Sequence, residues 1–293
     1  MRLLVTGGSG QLARSLAAVA PPGAALERPD RSTLDITSAQ DLERALKPGA
    51  FDLVINTAAY TAVDRAQSEP EAAFAVNRDG AGGLAAACRR AGIPLLHLST
   101  DYVFDGKLAR PYREDDPVHP LSTYGASKEA GERAVRERCP RHLILRSSWL
   151  FSPYGTNFVK TMLALARTRR EIAVVSDQVG CPTAAGDLAR AILIIARRVK
   201  EGFEGWGTYH LCGEPALSWH GFAQAIFECA YGQSPARPHV RPISSADFGA
   251  AAPRPASSAL DCTLSRRTFG LGPLAWREAL PLVLAAIARG EGA

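Results

Sequence analysis

Met1-Arg2-Leu3-Leu4-Val5-Thr6-Gly7-Gly8-Ser9-Gly10-Gln11-Leu12-Ala13 opens the chain, and its reading decides the fold class. Leu3–Thr6 is a short apolar run that reads as a strand. Gly7, Gly10 and the small Ala13 recur at every third position as a helix begins at Gln11. Glycines in such a turn let the backbone approach a pyrophosphate closely. The helix N-terminus points N–H groups at the anion, and a small third residue lets helix and strand pack. The spacing is looser than the usual dinucleotide fingerprint. The turn gains its weight from following the first strand of a parallel α/β pattern.

That pattern is read outward from the turn. A helix over Gln11–Ala20 stops at Pro21-Pro22-Gly23, and Ala24–Glu27 is a second strand. Ser38-x-x-Asp41 reads as a capping box opening a helix to about Leu46. Strands over Leu53–Asn56, Leu95–Thr100 and Leu143–Ser147 alternate with helices over Glu71–Arg90 and Thr123–Arg138. These strands are apolar throughout and do not alternate with polar residues. They therefore belong in a parallel sheet covered on both faces, a Rossmann-like doubly wound α/β fold. Residues 1–150 form the expected dinucleotide-binding domain. Residues 151–293 form a smaller lobe of loops and helices, with a segment near 172–200 returning to the first domain. Its helices fall near 157–169, 187–199, 219–231 and 275–289, and Pro235 to Pro255 reads as a long irregular stretch.

Composition narrows the function classes. Apolar residues make up 46% and charged residues 22% of the 293, which excludes a disordered chain. No apolar run approaches the ~20 residues of a membrane span. The N-terminus has no long apolar h-region, so no secretory signal is expected. The six cysteines form no CxxC spacing and read as mostly buried, reduced thiols in a cytoplasmic protein. The net charge of +5 is scattered and does not point to nucleic acid; a small anionic ligand explains it as well.

Two further patterns carry chemistry. Tyr124 and Lys128 stand four residues apart at the start of a helix, so phenol and ammonium share a face. A free phenol has a pKa near ~10; an ammonium nearby lowers it and makes the tyrosine a better proton donor to a carbonyl oxygen. Ser99 and Thr100 end a strand at the edge where open α/β sheets bind ligands, and alternation turns only one of them into the cleft. The end of the second strand is where an adenosine ribose lies. There Asp30 suits a free 2′-hydroxyl, whereas Arg28 or Arg31 suits a 2′-phosphate, so the expectation is NADPH with NADH also usable.

Taken together, these residues resemble the extended short-chain dehydrogenase/reductase family, and within it the sugar-nucleotide reductases, over nearly the whole chain. The matching stretches include Asn56–Asp64, Ser99-Thr100-Asp101-Tyr102-Val103-Phe104-Asp105-Gly106, Arg146–Leu150 and Asp177-Gln178-Val179-Gly180-Cys181-Pro182-Thr183. The resemblance implies that Thr100 is the catalytic hydroxyl beside Tyr124 and Lys128. It implies that Asp101 and Trp149, with Thr100 and Tyr124, meet the sugar nucleotide. It further implies that Gly10, Gln11, Leu12, Asp30, Asp35, Ile36, Ala58, Ala59 and Tyr60 line the cofactor, and that the later lobe grips the nucleotide. The implied substrate is dTDP-4-dehydro-L-rhamnose.

Departures from the family pattern are few. Ala13 replaces a commoner glycine. In Arg254-Pro255-Ala256-Ser257-Ser258 a serine stands at 257 where the family has asparagine, which removes one amide from the expected substrate contacts. Ser15 and Gly186 stand where magnesium-bridged members carry carboxylates, so no structural metal is expected and the protein is a monomer or homodimer. Two rival readings share the fold: a cofactor-recycling 4-epimerase or 4,6-dehydratase, and a non-enzymatic regulatory subunit. Thr100 is followed by a single carboxylate, Asp101, rather than the acidic pair of the dehydratases.

Overall fold

In the computed structural model, which describes residues 1–291, six strands form one all-parallel sheet. They are β1 (Arg2–Thr6), β2 (Ala25–Glu27), β3 (Leu53–Asn56), β4 (Leu95–Thr100), β5 (His142–Ser147) and β6 (Gly207–His210), in the order β2-β1-β3-β4-β5-β6. The chain leaves β1 toward one edge and returns on its other side, so the strand order reverses between β1 and β3. Ligands bind at such a switch point, outside the strand C-termini. The register Leu4–Val54 and Thr6–Asn56 brings the ends of β1 and β3 level there.

Both faces of the sheet are buried because both sets of strand side chains are apolar. Leu3 and Val5 pack with helix α1 (Gln11–Val19) on one face, and Leu4 packs with helix α2 (Ala81–Ala91) on the other. Burying each such side chain contributes roughly 1.5–3 kcal/mol, which is why an unalternating run settles here and not at a surface. Helix α4 (Ala185–Lys200) lies in the α1 layer, with Leu188, Ile192 and Ile195 fully buried, and β6 extends the sheet beyond β5. Helix α3 (Thr123–Arg138) covers the opposite face.

The smaller lobe has its own core around Phe151, Phe222, Phe227 and Trp276. It contains more than loops and helices. Glu171–Val175 pairs in parallel with His239–Ile243. The stretch from Pro235 to Pro255, expected to be irregular, thus supplies a strand and a short helix, Ser245–Phe248, closed by a capping box between Ser244 and Asp247. Proline at 242 hid this strand, because proline is tolerated at an edge and this strand has one partner only. Glu171–Val175 stays with the small lobe, and the chain returns to the main sheet from Ala185. The last two residues of the expected second lobe lie outside the described residues.

The helix expected over Glu71–Arg90 begins earlier and is interrupted. Helices Val63–Ser68 and Pro70–Phe74 lead into a π-helical turn, Ala75–Gly80, before α2. The six cysteines are free thiols, five of them buried and Cys229 exposed.

Candidate active site

A cleft of about 770 Å³ runs along the C-terminal edge of the sheet. Its first end is the glycine turn. Gly7 takes a left-handed φ of 71°, and a Cβ there would stand 2.9 Å from the Ala58 backbone. Gly8 is bound more tightly: a Cβ would lie 2.0 Å from the Arg28 carbonyl oxygen, a contact that only glycine permits. The turn thereby brings β1 and β3 close enough for Gly7, Gly10, Gln11 and Leu12 to line the cleft opposite Ala58, Ala59 and Tyr60. Gly10 caps α1 without a side-chain hydrogen bond, so the first N–H groups of α1 remain open toward the cleft. Uncapped donors, a positive helix end and a backbone with no Cβ in the way are what a pyrophosphate needs, and these residues fit a dinucleotide.

The charges beside β2 sort themselves by partner. Arg28 donates to the Gly8 carbonyl at 2.9 Å and so braces the turn. Asp30 lies outside the cleft lining and folds back on its own loop, accepting from Ser32 and Thr33; these hydrogen bonds lower its pKa. Arg31 is left at the cleft wall with Asp35 and Ile36. It is largely exposed and 3.0 Å from the Asp35 carboxylate. Sequence alone left these charges equivalent because it does not show which way a loop folds.

Tyr60 is held through its backbone. Its N–H donates to Asn77 Oδ1 at 2.8 Å, and Asn77 Nδ2 donates to the Tyr60 carbonyl at 3.0 Å and to Ser127 Oγ of α3 at 2.9 Å. Asn77 sits in the π-helical turn and is buried, 1% exposed. The sequence reading did not single it out.

Ser99 and Thr100 turn to opposite faces of β4, as alternation requires. Ser99 Oγ donates to Glu132 at 2.6 Å, while Thr100 Oγ1 donates to Asp101 at 2.9 Å and accepts from the Tyr102 amide at 3.2 Å. Both residues lie in the cleft wall, but only the Thr100 hydroxyl adjoins Tyr124. Helix α3 delivers Tyr124 there. Ser122 caps it, accepting from the Gly125 amide at 3.1 Å. Gly125 then abuts the Tyr102 carbonyl, where a Cβ would come within 2.2 Å. Burial pushes the Tyr124 phenol up to about 12; a hydrogen bond with Thr100 opposes this and the Asp101 charge adds to it. The sequence reading expected Lys128 to lower it. Desolvation outweighs that expectation, and the phenol keeps its proton at neutral pH.

Lys128 is also buried, 2% exposed, and its Nζ donates to the Leu98 carbonyl at 2.6 Å. Burial lowers it to about 8 while Glu132 favours its charge. Glu132 is fully buried. Burial works against its ionisation, but Arg146 outweighs this through bonds of 2.7 and 2.9 Å and holds the carboxyl at about 2. His97, buried within β4, bonds Asn56 at 2.9 Å through Nδ1 and has no hydrogen-bond partner at Nε2 among the described residues.

At the far end of the cleft stand Trp149 and Trp219, stacked with centroids 3.4 Å apart. Among the described residues Trp149 is the one non-glycine with positive φ, 45°. Gly180 leaves it room, since a Cβ there would sit 2.4 Å from the indole. The Trp149 Nε1 is buried and has no hydrogen-bond partner among the described residues. Asp101 forms the floor, its oxygens accepting from Thr100 and from Ser258 of the second lobe.

The family model described as the RmlD substrate binding domain matches residues 1–289. A dTDP-4-dehydrorhamnose reductase of Sinorhizobium fredii is 45% identical, over 100% of both chains. The crystal structure of a dTDP-4-dehydrorhamnose reductase from Bacillus anthracis in complex with NADP has a TM-score of 0.90 and 36% identity, covering 97% of this chain and 98% of that one. A Clostridium acetobutylicum counterpart has a TM-score of 0.91 and 35% identity, covering 98% and 100%. The match runs from the glycine turn through the second lobe, and the chain belongs to the RmlD substrate binding domain family, the family of these dTDP-4-dehydrorhamnose reductases.

Proposed function

We propose that this protein reduces the C4 keto group of dTDP-4-dehydro-β-L-rhamnose to give dTDP-β-L-rhamnose, using NADPH, with NADH also usable. One observation carries the reading: a single cleft joins the open N-terminus of α1 to the Thr100–Tyr124 pair. A protein that only bound a dinucleotide would have no use for a protonated phenol at the other end. The names of the similar reductases and the NADP complex of one of them support the same reading.

The roles follow from the chemistry of each side chain. The amides at the start of α1 hold the pyrophosphate, and Arg31 meets a 2′-phosphate. Lys128 has donors to spare beyond Leu98 and binds the ribose hydroxyls. A reduced nicotinamide, when bound, supplies the hydride. Tyr124 gives its phenolic proton to the C4 oxygen as negative charge develops there, and Thr100 orients both oxygens. Trp149 and Trp219 offer an aromatic wall to the nucleotide end of the substrate, and the second lobe encloses it.

The test is direct. Purified protein mixed with NADPH and enzymatically generated dTDP-4-dehydrorhamnose should lose nicotinamide absorbance in proportion to the dTDP-rhamnose formed. A cofactor-recycling epimerase or dehydratase would convert sugar without that loss, and a regulatory subunit would convert nothing. Either result overturns the reading.

A further inference from the structure

We infer that Asp101 and Ser258 form a proton-holding pair behind Thr100, which returns to Tyr124 the proton it gives away. The inference rests on the role of Tyr124 proposed above. Ser258 comes from 157 positions along the chain, and its hydroxyl donates to Asp101 Oδ2 while Thr100 donates to Oδ1. Both Asp101 and Ser258 are 2% exposed. Hydroxyls are thus the side-chain partners of this carboxyl, where the other buried acid near the cleft, Glu132, has a guanidinium.

The charged and titratable groups facing Asp101 do not neutralise it. Tyr102 comes from its own turn, Tyr124 from α3 and Cys181 from the run before Thr183. Arg254 acts on Tyr102 and is paired with Asp64 at 2.8 Å. Burial therefore pushes Asp101 up to about 7, against the Ser258 and Thr100 hydrogen bonds that pull it down.

The backbone fixes Ser258 in place. Its amide donates to the Val179 carbonyl at 2.8 Å, and Ser257 bridges Val179 in parallel fashion. Pro255 and Ala256 press on Gly106, where a Cβ would lie 2.6 Å from the Ala256 nitrogen. The segment clamps the turn that carries Asp101, so Ser258 is a positioning residue for the acid.

The proton step balances without any redox change. In the neutral acid the proton lies on Oδ1 and the bond with Thr100 runs from carboxyl to hydroxyl, which frees the Thr100 O–H to face Tyr124. Once Tyr124 has protonated the C4 oxygen, the phenolate takes the Thr100 hydroxyl proton and Thr100 takes the Asp101 carboxyl proton. Two O–H bonds break, at Thr100 and Asp101, and two form, at Tyr124 and Thr100. The negative charge moves from the more basic phenolate to the carboxylate, where the Ser258 O–H stabilises it. Water restores the Asp101 proton after product leaves.

Infrared difference titration of the ligand-free protein, wild type against Asp101→Asn, reads the Asp101 carboxyl band directly and should show it lost near neutral pH. Ser258→Ala removes a donor to the ionised form and should raise that midpoint by about one pH unit. The alkaline fall in kcat should move with it, and Ser258→Thr, which keeps the donor, should restore both. A wild-type band that does not titrate near neutrality overturns the inference, as does an alkaline limb unmoved in Ser258→Ala. If the wild type fails to oxidise NADPH with the sugar nucleotide, the functional reading falls, and the infrared titration alone then decides the pair.

Discussion

Glu132 and Asp101 are the two fully buried carboxyls beside the end of β4, one reached by Ser99 and the other by Thr100. Neighbouring strand residues point to opposite faces, so the two acids lie in separate environments. Glu132 meets Arg146 and stays ionised, at about 2. Asp101 meets hydroxyls and rises to about 7. The difference teaches that burial alone does not decide a charge: a buried carboxylate persists where a cation compensates its desolvation and becomes labile where only neutral donors do. The first region is a fixed support under β4, β5 and α3; the second carries the proposed proton relay.

Variants can break this contrast. The largest effect is expected on the labile side, where Tyr124→Phe removes the proposed proton donor. It should lower kcat by roughly 10²–10⁴-fold, with NADPH binding nearly unchanged in a fluorescence titration. A variant that keeps a tenth of the wild-type kcat ends the acid role of Tyr124.

On the supporting side, Glu132→Gln strands the Arg146 guanidinium, which is 3% exposed, in the core. The expected loss is about 3–5 kcal/mol in denaturant unfolding at pH 7. The lowered pKa of Glu132 gives stability that is present above its unfolded value and lost as pH falls toward 2, so the gap between the two proteins should narrow in acid. A neutral result would mean that Arg146 finds another partner.

Asp101→Asn should have the opposite sign. A raised carboxyl contributes stability that is present below its unfolded pKa and lost as pH rises through about 7. The variant should therefore be more stable than wild type at pH 8, by on the order of a few kcal/mol in denaturant unfolding, and the two should converge only near pH ~4, around the unfolded carboxyl pKa. Parallel curves for the two proteins would show that Asp101 does not titrate in the fold.

The smallest effect belongs to the cofactor end. Arg31 is exposed and already beside Asp35, so Arg31→Ala should raise KM for NADPH about fivefold and leave KM for NADH unchanged. Equal changes for the two cofactors would remove Arg31 from 2′-phosphate recognition.

Much of the molecule was legible in sequence because its physics is local. The glycine turn, the unalternating strands, the cap at Ser38 and the i, i+4 spacing of Tyr124 and Lys128 each lie within a few residues along the chain. The short strands of the second lobe were not legible, since two- and five-residue pairings carry little pattern. Asn77 was hidden in a helical run whose π-helical turn shows only in three dimensions. Gly8 looked like any other turn glycine until the Arg28 carbonyl arrived beside it from β2.

The sequence by itself determined the fold class, the place of the cleft and the family, because strand and helix periodicity and short motifs are contiguous in the chain. The tertiary structure decided the protonation of the groups within that cleft. Whether Glu132 is charged, whether Asp101 is labile and whether Tyr124 keeps its proton depend on burial and on partners 14 to 157 residues away. Desolvation and long-range hydrogen bonds come into being only when the chain closes on itself.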